Sequence, residues 1–155
     1  MPVTLVLDSY YFLEDVIPGT LQQLADEEVE SALFRAIIDN GHRMLITDRG
    51  TRQVSIKREH ETEANKRGLG RNLAVVLDQF KIWGVIANVN VPRRHITNLG
   101  GSHKVFIEDA VAGRVQYFLT EAEGWRQFDR NRHICPNLRV ITAQRFIRIA
   151  GRTDL

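Results

Sequence analysis

Short apolar runs alternate with amphipathic stretches along the whole of this chain. Val3-Thr4-Leu5-Val6-Leu7 is the first run, uninterrupted and β-branched in the manner of a strand buried on both faces. Helical sequence follows within a few residues, and the spacing of Leu24, Val29, Leu33, Ala36 and Ile37 predicts one helix from Leu21 to Ile38. Asn40-Gly41 tolerates left-handed backbone and stops it. Arg43-Met44-Leu45-Ile46-Thr47 is the second predicted strand. Thr47 or Asp48 is then expected to cap a helix running through Lys57 to about Asn65, charged throughout and so expected on the surface. Gly68-Leu69-Gly70 interrupts, and Asn72 to Trp83 resumes helical spacing with Leu73, Val76, Leu77 and Phe80 on one stripe, ended by Gly84.

The second half repeats the alternation. Val85 to Val91 is extended, and Pro92 forbids helix there. After the Gly100-Gly101 loop, Ser102 is a candidate cap for a helix carrying Val105, Phe106, Ala110, Val111 and Ala112, closed by Gly113. Tyr117-Phe118-Leu119-Thr120 reads as a buried strand, Glu121 to Phe128 as a short helix and Leu138-Arg139-Val140-Ile141 as the last strand. Thr142 caps a terminal helix containing Phe146 and Ile149. Strands alternating with helices predict a single domain over 1–155, a three-layer α/β/α fold with a mainly parallel sheet of four to five strands. Ligands of such folds gather at the carboxyl ends of the strands. There the chain would collect Asp8, Thr47 or Asp48, the loop before Val105, and Thr120 to Glu123.

Composition narrows the classes of function. An apolar content of 43% with 26% charged residues is that of an ordinary soluble domain, and no apolar run approaches the roughly 20 residues that cross a bilayer. No membrane partner is expected. The N-terminus shows no basic region followed by an apolar core, so a cytoplasmic location is expected. Lone Cys135 offers neither an internal disulfide nor a thiol cluster, and reads as a small buried hydrophobe. A net charge of +2 argues little, but its distribution is uneven: cations concentrate between Arg43 and Arg94, while Glu14 to Glu30 is acidic. The basic segment either lays a cationic face beside the crevice or forms solvated helix faces. Tyr10, Tyr11, Phe12, Trp83 and Trp125 read as packing residues, so no stacking platform is expected. No phosphate-loop or dinucleotide fingerprint is present.

Four segments together resemble the PIN domain, a family of metal-dependent ribonucleases that includes many toxin components. They are Val6-Leu7-Asp8-Ser9 with its aromatic helix, Met44-Leu45-Ile46-Thr47, the stretch from Ala110-Val111-Ala112-Gly113 to Tyr117-Phe118-Leu119-Thr120, and Leu138-Arg139-Val140-Ile141-Thr142 with Phe146. The resemblance implies an acid at the end of the first strand, where Asp8 stands. It implies three further acids at positions that this chain fills with Gln53, His103-Lys104 and Ala122. Glu121 and Glu123 flank Ala122, and either could replace the missing acid on its longer side chain. Glu108 and Asp109 lie farther along their helix and are expected to point elsewhere.

Two functions follow as expectations. As a weak or one-metal ribonuclease, the chain would hold Mg²⁺ or Mn²⁺ with Asp8, His103 and Glu121, assign catalytic duty to Asp8, Glu121 and Glu123, and counter phosphate charge with Arg49, Arg52 or Lys104. As a catalytically degenerate module it would bind RNA or protein with the same crevice. The resemblance implies RNA, an antitoxin-like protein or a second copy in a homodimer as partners. Replacing carboxylates by Gln53, His103 and Ala122 removes negative charge that would offset the repulsion of paired Mg²⁺ ions. The remaining histidines, 42, 60, 95 and 133, have no metal-ligand spacing and receive no role.

Overall fold

A computed structural model describes residues 2–87, 90–96, 99 and 103–150. The Gly100-Gly101-Ser102 turn, and with it the expected Ser102 cap, lies outside the described residues. Four strands, β1 (Thr4–Leu7), β2 (Arg43–Met44), β3 (Tyr117–Leu119) and β4 (Arg139–Ile141), form an all-parallel sheet in the order β2-β1-β3-β4. The expected 85–91 strand contracts, among the described residues, to one parallel bridge between Met44 and Ile86 beyond β2. Leu5, Val6, Phe118 and Leu119 are completely buried, so the sheet is covered by helices on both faces. This is the α/β sandwich that the alternation predicted. No helix among the described residues is long and apolar enough to cross a membrane.

Helices depart from expectation in two places. Helical backbone begins at Ser9 and runs through α1 (Ser9–Tyr11), a π-helical segment Phe12–Val16 and α2 (Ile17–Leu24). The single helix expected over Leu21–Ile38 is therefore two, α2 and α3 (Ala32–Asp39), separated by a turn in which Asp26 takes φ 55°. Asp26, Glu27, Glu28 and Glu30 crowd four carboxylates into that turn, and their repulsion disfavours a helix. Ser31 then starts the chain afresh, its hydroxyl accepting from the Phe34 N–H at 3.0 Å. Leu24, expected inside, is 43% exposed. The two helices approach closely at Gly19, where a Cβ would lie 2.7 Å from Cβ of Phe34.

The second departure is α4 (Ile56–Lys66). Its cap is neither Thr47 nor Asp48 but Ser55, which accepts from the Arg58 N–H at 3.2 Å, so the helix starts later than expected, after a loop. Nor does it lie wholly on the surface: Ile56, His60 and Ala64, spaced i, i+4, i+8, are buried. The stripe is visible in the sequence but is masked by the charges around it. The later helices are α5 (Gly70–Trp83), α6 (Val105–Ala112), α7 (Glu123–Arg126) and α8 (Ala143–Ala150). In α5, Leu73, Val76, Leu77 and Phe80 are buried as the spacing required, and Gly84 closes it in the left-handed region at φ 70°. Thr142 caps α8 by accepting from the Arg145 N–H at 3.2 Å.

A buried ion pair joins the two halves. Asp109 on α6 is 0% exposed and receives the Arg49 guanidinium through two hydrogen bonds of 2.8 Å, with the Thr47 hydroxyl donating at 2.6 Å. Arg49 also donates to the carbonyls of Val54 and Val91, and Thr47 Oγ1 accepts from the Ile56 N–H at 2.9 Å. Arg49, expected to face phosphate, is thus an interior residue whose side chain is 9% exposed. Asp109→Asn should strand the guanidinium in the core and cost about 3 to 5 kcal/mol. Urea unfolding reads this as a lower midpoint with unchanged slope.

Candidate functional site

Sheet order reverses at β1: β2 lies on one side of it and β3 on the other, which opens a crevice at their carboxyl ends. Asp8 sits at this point. Its N–H donates to the Leu119 carbonyl at 3.0 Å, and its Oδ2 accepts from the Thr120 hydroxyl at 2.7 Å. Oδ1 faces the Tyr10 N–H at 3.5 Å and caps α1. The Thr120 hydroxyl accepts in turn from the Ala122 N–H at 3.1 Å. Carboxylate and strand ends therefore hold one another in place.

The next residue turns inward. Ser9 is buried, with Oγ 2.8 Å from Nδ1 of His60, whose ring stacks on Phe12 at a centroid distance of 4.5 Å. Burial pushes the His60 imidazole down to about 3, so it is neutral near pH 7. Such a weak base does not activate the serine, and the pair instead fastens α1 to α4. This fastening aims the neighbouring face of α4 at the crevice. Glu59 is 2.9 Å from Nδ1 of His103, and Glu63, one turn on, joins His103 and Asp8 around a cavity of about 250 Å³. Ser9, Tyr10, Arg67, Ala122 and Trp125 complete its lining.

Asp8 and His103 are thus brought together, whereas Glu121 and Glu123 are not. The Tyr11 hydroxyl donates a short hydrogen bond to Glu121 and accepts from the Ala143 N–H at 3.0 Å, which holds Glu121 toward the start of α8. Burial, reinforced by Glu121, raises the Tyr11 phenol above its ordinary value; burial, with Glu14 and Glu121 nearby, also raises the Asp15 carboxyl. Glu123 stands in solvent, its side chain 93% exposed, 3.7 Å from Arg126. Between these two glutamates, Ala122 alone of the three lines the cavity. Lys104 is half-buried beside His103, and Arg52 is exposed on the loop before α4, outside the cavity lining. Asp48 forms a turn with the Gly50 N–H, which together with Lys57 holds its carboxyl below the usual range.

This donor set does not fit the expected Mg²⁺ or Mn²⁺. Among the described residues no three His, Cys, Asp or Glu side chains converge closely enough to hold a metal ion. One oxygen of Asp8 already accepts from Thr120, and magnesium needs several oxygen ligands in near-octahedral geometry.

Glu59, Glu63, Arg67, Tyr10 and Trp125 escaped the sequence reading as site residues, and Trp125, read as packing, lines the cavity. Glu59 and Glu63 lie one position before His60 and Ala64 of the buried stripe, so their i, i+4 spacing on the adjoining face was the available signal. Tyr10 was read as packing, yet it is 52% exposed while Tyr11 is 3% exposed. No protein-family model matches the chain, and no curated protein or solved structure matches it.

The His60 burial sets a dependence on pH. Its folded value lies below its ordinary 6.5, so the unfolded chain binds the extra proton between about 3 and 6.5 and stability falls as pH drops below 6.5. The slope from this one group approaches about 1.4 kcal/mol per pH unit. Thermal melts from pH 7.5 to 5 should show this fall, and His60→Gln should flatten it. An equally steep decline in that variant would assign the effect to other groups.

Proposed function

We propose that the protein is a PIN-like domain that binds single-stranded RNA in the carboxyl-edge crevice without metal-dependent hydrolysis. The observation that carries this reading is that Tyr10 and Trp125 line the same cavity as Arg67 and His103. Every base has a π face, so aromatic walls hold unpaired nucleotides with little regard to sequence, while a guanidinium serves both as a stacking plane and as a phosphate partner. The Arg67 bond to Glu14, at 2.8 Å between two partly exposed side chains, is the kind of surface pair that exchanges readily for a phosphate.

Charge decides how the strand lies. Asp8 and Glu63 make the cavity itself unfavourable for a phosphate, and its volume of about 250 Å³ is below that of ordinary ligand pockets, roughly 300 to 1,000 Å³. A base therefore enters, and the backbone runs outside over Arg67 and toward Lys104. Loss of the acid at Ala122 and the diversion of Glu121 to Tyr11 support binding over cleavage, because in-line attack needs clustered carboxylates to hold its cations.

Fluorescence anisotropy with a labelled single-stranded oligoribonucleotide tests the reading. Trp125→Ala and Tyr10→Ala should each weaken binding by about 1 to 3 kcal/mol. Arg67→Ala should reduce the slope of log K against log salt by about 0.7. Absence of binding at low salt would refute the reading. Cleavage in Mn²⁺ that disappears with EDTA and in Asp8→Ala would refute its non-hydrolytic part and restore a ribonuclease.

A further inference from the structure

The opposite edge of the sheet carries a second concavity of different character. Arg114 immediately precedes Val115-Gln116 and β3, and Pro136 to Leu138 lead into β4, so this cleft of about 610 Å³ opens at the amino ends of the strands. Its volume is that of an ordinary small-molecule site. Arg94, Arg114 and Arg132 line it, together with His133, and no carboxylate does.

Several arginines among the described residues stand without an acid, but three of them share this one concavity. Arg35, Arg49, Arg67, Arg93, Arg126 and Arg139 each stand within 4.0 Å of a carboxylate. Among the described residues, the side chains of Arg94, Arg114 and Arg132 have neither an ion pair nor a hydrogen bond. Like charges gathered round a concavity repel one another, and the arrangement is relieved by a multiply charged anion. The planar fork of each guanidinium suits phosphate oxygens in particular.

Backbone geometry adds an independent observation. Arg114 follows α6 in the left-handed region at φ 53°, with Val115 N–H returning to the Ala110 carbonyl at 2.9 Å. Glycine fills this position after a helix at little cost, whereas a residue with a Cβ is strained there. The chain nevertheless places an arginine at the cleft, with glycine one residue earlier. Apolar walls from Val111 and Ile134 and the Asn137 amide supply what a flat ring with polar edges would meet.

We infer that this cleft binds a small phosphorylated ligand of nucleotide size, its phosphates held by Arg94, Arg114 and Arg132. The site is separate from the carboxyl-edge crevice and does not depend on its function.

Calorimetric titration of the full chain at low salt with inorganic pyrophosphate, ADP and adenosine tests the assignment. Pyrophosphate and ADP should bind saturably and adenosine should not. Arg114→Gly should melt no lower than the parent, because glycine relaxes the turn, yet bind ADP at least tenfold more weakly; Arg132→Ala should weaken ADP similarly, while Trp125→Ala should leave it unchanged. Failure of both phosphates to bind, or affinities unaltered by the two arginine substitutions, would overturn the proposal. So would arginine substitutions that weaken a single-stranded oligoribonucleotide while ADP fails to compete with it, since the cleft would then be part of an RNA path.

Discussion

One buried carboxylate sets the relation between the helices on which the carboxyl-edge crevice depends. Asp109 lies in α6 without contact with water, and a charge so placed is costly unless every oxygen is paired. Arg49 and Thr47 supply that pairing, and each also reaches elsewhere, Arg49 to the carbonyls of Val54 and Val91, and Thr47 to the first N–H of α4. The end of the second strand region, the loop after it, the start of α4 and the middle of α6 are therefore one unit. With α4 fixed against α6, Glu59 meets His103, and the mouth of the crevice takes its shape.

Within that frame the acids of the crevice serve structure first. Asp8 binds the Thr120 hydroxyl and caps α1, and Glu121 accepts from a tyrosine that also receives the start of α8. Each bond removes a lone pair from possible service to a cation. What remains around the cavity is mixed, with Tyr10 and Trp125 beside Arg67, Glu63 and His103. The two edges of the sheet consequently differ. One offers a mixed acidic and aromatic cavity suited to a base, and the other an arginine-lined cleft suited to phosphate.

Where the sequence was legible, short-range physics made it so. The apolar runs at β1, β3 and β4, the Leu73, Val76, Leu77 and Phe80 stripe, and the Gly84 and Thr142 helix ends all follow from local periodicity and backbone preference. Failures came where charge competed with periodicity. Four carboxylates between Asp26 and Glu30 broke a helix that apolar spacing favoured, and the charges of α4 hid a buried stripe at Ile56, His60 and Ala64.

For the candidate site, the primary structure alone determined that Asp8 would follow a buried strand, because an apolar run that ends in a polar residue is a local pattern, whereas the pairing of β1 with β3 is what set Thr120 beside it. The primary structure also determined that a methyl, Ala122, would stand where the resemblance implied an acid. Only tertiary packing decided which way each longer side chain would turn: Arg49 inward to Asp109, Glu121 away to Tyr11, Tyr10 out and Tyr11 in, and Glu59 across to His103. Those choices depend on partners many residues distant, whose hydrogen bonds and burial no local pattern encodes.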